Sequence, residues 1–158
     1  MPGKILITGG SGLIGMRLSE MLIDLGYEVA HLSRNPNKVS SYKTFKWDTD
    51  SGYIDDNAIT YADYIINLAG ASVADEKWTE ERKKEIIKSR VDSINLLHSC
   101  LEKTQNHVKG FISASAIGIY GDSGDRLVSE ESTYADDFLA EVCKAWEAAA
   151  WRMRDLNL

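Results

Sequence analysis

The stretch Lys4-Ile5-Leu6-Ile7-Thr8-Gly9-Gly10-Ser11-Gly12-Leu13-Ile14-Gly15 decides how the rest of the chain is read. Lys4 to Thr8 is a short apolar run rich in β-branched residues, the mark of a buried strand. Gly9, Gly12 and Gly15 then recur every three residues, a G-x-x-G-x-x-G pattern. From Gly12 to Leu25 the apolar residues Leu18, Met21, Leu22 and Leu25 are spaced by three and four, which predicts a helix that Gly26 stops. A glycine loop between a strand and the start of a helix is the setting in which such a motif holds a pyrophosphate. Gly9 permits the tight turn out of the strand. Gly12 lets the backbone approach the anion, and Gly15 lets the helix pack close to the sheet. The amides of Ser11, Gly12, Leu13 and Ile14 are the expected donors, helped by the helix dipole. The alternative is a glycine-rich turn that holds nothing.

Outward from that loop, strands and helices alternate. Glu28 to Leu32, Thr44 to Trp47, Tyr64 to Leu68 and Phe111 to Ser115 read as four further strands. The segment from Ser33 to Ser41 reads as polar loop with a helical turn after Pro36. Ser51-Gly52 marks a turn, and Asp55 to Thr60 a short helix. Thr79 can cap a long helix through about Lys103, with Ile86, Val91, Ile94, Leu97 and Leu101 inward. A loop with Gly118, Gly121 and Gly124 precedes a last helix from Asp137 to about Arg154. Leu156 to Leu158 look like the approach to a sixth strand. The expected fold is α/β: a Rossmann-like, doubly wound parallel sheet in three αβα layers, incomplete at its C-terminal edge.

Composition agrees with one domain. The chain has 158 residues, 44% of them hydrophobic, enough to support a packed core. Its net charge of −6 disfavours a general nucleic-acid binder, because an acidic surface repels phosphate polyanions. No apolar run reaches the ~18 residues of a membrane span, and the N-terminus is too short in apolar residues for a secretory signal. Cys100 and Cys143 form no motif, so neither a disulfide framework nor a metal site is expected. A soluble, reducing, cytoplasmic setting is the default expectation.

The end of the second predicted strand bears on which dinucleotide fits. A site for NAD usually has an Asp or Glu there, on the ribose 2′-hydroxyl. This chain reads His31-Leu32-Ser33-Arg34-Asn35, with no carboxylate. Arg34 can pair with a 2′-phosphate and Ser33 can donate to it, which favours NADP(H). The alternative is a solvated loop arginine. Lys38 and Lys43 can add charge to the pocket or belong to a charged loop. Asp48 can accept from an adenine amino group or close a turn. Trp47 reads as core. Arg90, with no acidic neighbour at three or four, can reach a phosphate or carboxylate in the cleft or lie solvated.

The longer strings carry a resemblance. The glycine spacing, Asn67-Leu68-Ala69-Gly70 and Ser113-Ala114-Ser115 resemble extended short-chain dehydrogenases/reductases. NLAGASVADEKWTEERKKEIIKSRVDS (67–93), SASAIGIYG (113–121) and FLAEVCKAWEAAA (138–150) resemble, more narrowly, the atypical sugar-nucleotide-epimerase-like group. The likeness runs from Lys4 to about Trp151. It implies a Rossmann domain for NADP(H), strand order 3-2-1-4-5, and a C-terminal portion with most substrate contacts. Members of the group are nearly twice this long, so the chain resembles their N-terminal half. Leu68, Ala69 and Gly70 would line the cofactor, with Gly70 leaving room for the ribose and nicotinamide. The fifth strand would be left as an open edge, which invites pairing with a second copy and makes a homo-oligomer reasonable.

The wider family uses a Tyr to move the proton, a Lys four residues on to lower its pKa, and a Ser or Thr on the oxygen. Ser115 matches the Ser place, with Ser113 as the alternative. Leu139 and Cys143 stand near the Tyr and Lys places, and Lys144 is one residue off, about 100° round the helix. Tyr42 and Lys46 have the right spacing in the wrong element. Tyr120 is the nearest spare phenol, with a packed loop aromatic as its plainer role; Cys143 reads as a buried core thiol. The leading expectation is therefore an NADP(H)-binding epimerase- or reductase-like protein acting on a small carbonyl or nucleotide-sugar substrate. The alternatives are a non-catalytic NADP(H) sensor or scaffold, and a folding fragment without activity of its own.

Overall fold

A computed structural model describes residues 2–36 and 41–158. The helical turn expected after Pro36 and the pocket role weighed for Lys38 lie outside the described residues. Strand β1 is Lys4–Thr8, α1 Leu13–Asp24, β2 Glu28–Ser33, β3 Lys43–Asp48, β4 Tyr53–Ile54 and α2 Asp56–Tyr61. Then follow β5 Tyr64–Asn67, α3 Glu80–Lys103, β6 Gly110–Ser113 and α4 Phe138–Trp151, with 3₁₀ turns at Ile117–Tyr120 and Arg152–Leu156.

The sheet runs β4-β3-β2-β1-β5-β6. Every neighbouring pair is parallel except β3 with β4. The five strands expected from the sequence keep the order 3-2-1-4-5. The two-residue strand β4 was not expected; it pairs Trp47 with Ile54 across the Ser51-Gly52 turn and buries Ile54. No strand forms at the C-terminus among the described residues. Arg152–Leu156 winds as a 3₁₀ turn instead, ended by Asn157 in the left-handed region (φ 60°).

Alternation along the strands sorts the core onto two faces. Leu6, Ala30 and Ile65 face α2, α3 and α4, whose Ala58, Ile59, Ile94, Leu97, Leu101 and Trp146 close over them. Ile5, Ile7, Val29 and Ile66 face the other way, against Leu18 and Leu22 of α1. Met21 and Leu25, part of the apolar spacing that predicts the helix, are 48% and 68% exposed. They lie three residues on from Leu18 and Leu22, Met21 on the flank of α1 and Leu25 at its C-cap. The caps are local and chemical: Asp55, Thr79 and Asp137 each accept from a backbone N–H in the first turn of α2, α3 and α4. No helix among the described residues is long and apolar enough to cross a membrane.

Candidate functional site

At the carboxyl end of the sheet, outside β1, β2, β3 and β5, lies a cleft of about 470 Å³. Gly9, Ser11 and Gly12 form its floor. Leu32 to Asn35, Trp47 and Thr49 line one side, and Leu68 to Ala71, Glu85 and Ser89 the other. A crevice outside the strand ends at a reversal of strand order is where open α/β sheets bind ligands.

The glycine loop is built by contacts that exclude side chains. Gly9 has φ +68°, and a Cβ there would stand 2.8 Å from the Leu68 carbonyl. A Cβ on Gly12 would meet only the Gly9 oxygen, at 3.3 Å, so its open side faces the cleft. Gly15 packs under the loop rather than on the strands: a Cβ would meet the Gly9 oxygen at 2.4 Å and Gly10 Cα at 2.6 Å. Gly10, given no role by the spacing, is as constrained, because a Cβ would lie 2.4 Å from the His31 ring. The expected donor set also changes. The Gly12 N–H is taken by the Gly9 carbonyl at 3.0 Å. The amides of Leu13 and Ile14 open α1, where helical geometry gives them no partner within the helix. Their side chains project outward, Leu13 91% and Ile14 70% exposed.

Thr8, Asn67 and Ser113 stand side by side in the register of β1, β5 and β6. Thr8 Oγ1 donates to Asn67 Oδ1 at 2.7 Å and accepts from the Leu68 and Ala69 amides, each at 3.1 Å. Asn67 Nδ2 donates to Ser113 Oγ at 3.3 Å, and Ser113 Oγ to the Ala114 carbonyl at 3.2 Å. This ladder sets where the chain leaves β5 to form the cleft wall. Thr8 carried no signal in the motif, and Asn67 was read only as part of a string. The register that joins them is a property of the sheet.

Arg34 is exposed at the cleft side, and Ser33 Oγ accepts from the Asn35 amide at 3.1 Å. Four residues weighed for the cofactor pocket have partners within the protein or border a neighbouring cavity. Asp48 closes the β3–β4 turn, accepting from the Asp50 and Ser51 amides at 3.0 and 3.4 Å. Bonds from the Ser51 side chain and these amides hold its carboxyl below the usual range. Lys43 sits at the other end of β3, over the rings of Phe45 and Tyr61. Arg90 turns inward. Its Nη1 donates to the Ala71 and Ile86 carbonyls, both at 3.0 Å, and its guanidinium stands 5.0 Å from the Trp146 ring. Ser113 lines a second cavity. The space left by Gly70 belongs to Arg90, whose Cζ would be 2.9 Å from a Cβ there.

That second cavity, about 500 Å³, lies beside β6 and α4 and includes Ser113, Ser115, Tyr120, Tyr134, Glu147 and Trp151. Ser115 Oγ donates to Glu147 Oε1. Tyr120 packs edge-on to Tyr134 with ring centroids 5.9 Å apart. Burial, then Glu130, Tyr134 and Glu147, push the Tyr120 phenol up, the opposite of what a phenolic base needs. Lys144 offers no help, since it donates to the Ala135 carbonyl at 2.6 Å. Cys143 is buried, its Sγ 3.6 Å from the Ala116 carbonyl, and burial pushes its thiol up. Glu147 escaped the sequence reading. Its one signal was position, four residues past Cys143 on the same helix face.

Comparison with known proteins gives this geometry a context. A family model described as the NAD dependent epimerase/dehydratase family matches residues 5–144. Epimerase family protein YfhF of Bacillus subtilis is 34% identical over 146 residues, which are 91% of this chain and 48% of YfhF. The crystal structure of human epimerase family protein SDR39U1 (isoform 2) with NADPH superposes with a TM-score of 0.76 at 28% identity, covering 93% of this chain and 48% of that one. A nucleoside-diphosphate sugar epimerase from Corynebacterium glutamicum gives 0.78 at 35% identity, over 99% of this chain and 32% of its own. The chain thus spans about half the length of the curated relatives it matches.

Proposed function

The chain belongs to the NAD dependent epimerase/dehydratase family, and from that premise we propose that it supplies the NADP(H) site of an epimerase- or reductase-like enzyme acting on a small carbonyl or nucleotide-sugar substrate. The observation that carries the cofactor reading is the pairing, across one cleft, of a glycine floor with Ser33 and Arg34 where a carboxylate would select NAD. Ser11, Leu13 and Ile14 amides would receive the pyrophosphate, with the start of α1 behind them. Arg34 would pair with the 2′-phosphate. Leu68, Ala69 and Gly70 would line the path toward Ser115. The bound nicotinamide would exchange a hydride with a carbon bearing oxygen. The protein's part is to orient that carbon and to move the proton on its oxygen. The human relative crystallised with NADPH supports this reading; substrate contacts beyond this chain remain part of the proposal.

Titration of intrinsic fluorescence tests it. NADPH should bind at least about tenfold more tightly than NADH, the ~1.5–3 kcal/mol of a charge-assisted pair. Arg34→Ala should bring the two to similar affinity with NADH binding unchanged. Equal binding of both by the unaltered protein, or no binding, overturns the assignment. A non-catalytic cofactor sensor is the second reading, favoured by Leu139, an alkyl side chain near the family's Tyr place whose Cβ lies 3.3 Å from the space a Cβ on Gly118 would take.

A further inference from the structure

On α4, Leu139, Cys143 and Glu147 are spaced by four and share one face. The first is an alkyl chain and the second a thiol raised by burial, so neither exchanges a proton near neutrality. The third is a carboxylate, and it is the group that accepts from Ser115 Oγ. Ser113, Ser115, Tyr120 and Glu147 open into one cavity. Tyr120 is poorly suited as the base, because burial, then Glu130, Tyr134 and Glu147, push its phenol up. Lys144 is committed to Ala135 and Asp136.

We propose that Glu147 is the positioning residue of Ser115 and the acceptor of its proton, replacing the Tyr/Lys pair that this helix lacks. The inference rests on the proposed oxidoreductase reading of the site. For alcohol oxidation, the substrate hydroxyl proton moves to Ser115 Oγ as the Ser115 proton moves to Glu147 Oε1. The O–H electron pair becomes the second C–O bond. The C–H pair leaves with its hydrogen to the oxidant, NADP⁺. The alcohol thus loses one hydride, which carries both electrons, and one proton, which ends on Glu147. Carbonyl reduction runs the same transfers backward.

The test uses the intact protein, NADPH, and 9,10-phenanthrenequinone as a carbonyl probe, following NADPH oxidation across pH. Glu147→Gln should lower kcat by about 100-fold or more, the scale of general acid–base catalysis, and abolish the pH limb seen in the unaltered protein. Its NADPH affinity should stay within about twofold. Glu147→Asp should regain part of kcat. A second arm needs no turnover: carbon-13 NMR of the glutamate side-chain carboxyls, in which the signal missing from Glu147→Gln changes its chemical shift once Ser115→Ala removes its donor. Loss of NADPH binding by the unaltered protein sinks the functional reading, while the NMR arm still reads the Ser115–Glu147 contact. Bound NADPH with no turnover, an unchanged rate and pH profile in Glu147→Gln, or an unmoved carboxyl signal in Ser115→Ala each overturns the proposal.

Discussion

Beneath the glycine loop, His31 Nε2 faces Ser19 Oγ at 2.8 Å, and Ser19 Oγ donates its single proton to the Gly15 carbonyl at 2.7 Å. The imidazole is therefore the donor toward Ser19, which assigns the Nε2–H tautomer. Its ring stacks on Tyr42 at 4.6 Å and fills the space that Gly10 leaves. Burial lowers the His31 pKa below its ordinary 6.5. Between that folded value and 6.5 the unfolded chain binds a proton that the folded chain does not. Stability from this residue is thus whole above pH 6.5 and declines as the pH falls below it. Urea midpoints at pH 7.5 and 5.5 should show this loss, and His31→Gln, which keeps a donor toward Ser19, should shrink it. An identical loss in the variant would remove His31 from the account. Arg90 illustrates the opposite residue-scale outcome. It lacks acidic neighbours because its partners are carbonyls and a ring, which sequence spacing does not display.

At the scale of elements, the ladder Thr8–Asn67–Ser113 joins three strand ends, with Thr8 and Asn67 fully buried. Thr8→Val keeps the shape but deprives Asn67 Oδ1 of a donor and the Ala69 amide of its acceptor. Unsatisfied buried groups cost ~1–3 kcal/mol each, so a loss of about 2–4 kcal/mol in urea unfolding is expected, with Thr8→Ser close to the unaltered protein. A Thr8→Val protein as stable as its parent would show that the ladder is incidental. Contacts of this kind were the illegible part of the chain. Periodicity and caps announced α3 from Thr79 to Lys103 and the order of the main strands, because those signals are local. The inward turn of Arg90, the bond of Glu147 to Ser115 and the fit of Gly10 on His31 join residues far apart in sequence. They become visible only once the sheet register brings them together. The β4 pairing was missed for a related reason: two residues are too few to carry an alternating pattern.

For the whole molecule, the two sheet faces are covered unequally. Among the described residues, three helices close over one face and one, α1, serves the other. The consequence falls on β6, an edge strand in which Ile112 pairs in register with buried Ile66 yet is itself 61% exposed. An apolar side chain beside unpaired strand amides is a template for another strand. The 158-residue chain by itself should therefore self-associate in sedimentation velocity as its concentration is raised. Ile112→Lys should return it to monomer, because a charge on that face opposes both the apolar contact and strand addition, while thermal stability of the monomer changes little at so exposed a position. A chain that stays monomeric at high concentration with Ile112 unaltered, or an Ile112→Lys variant that associates equally well, would place the contact on another surface.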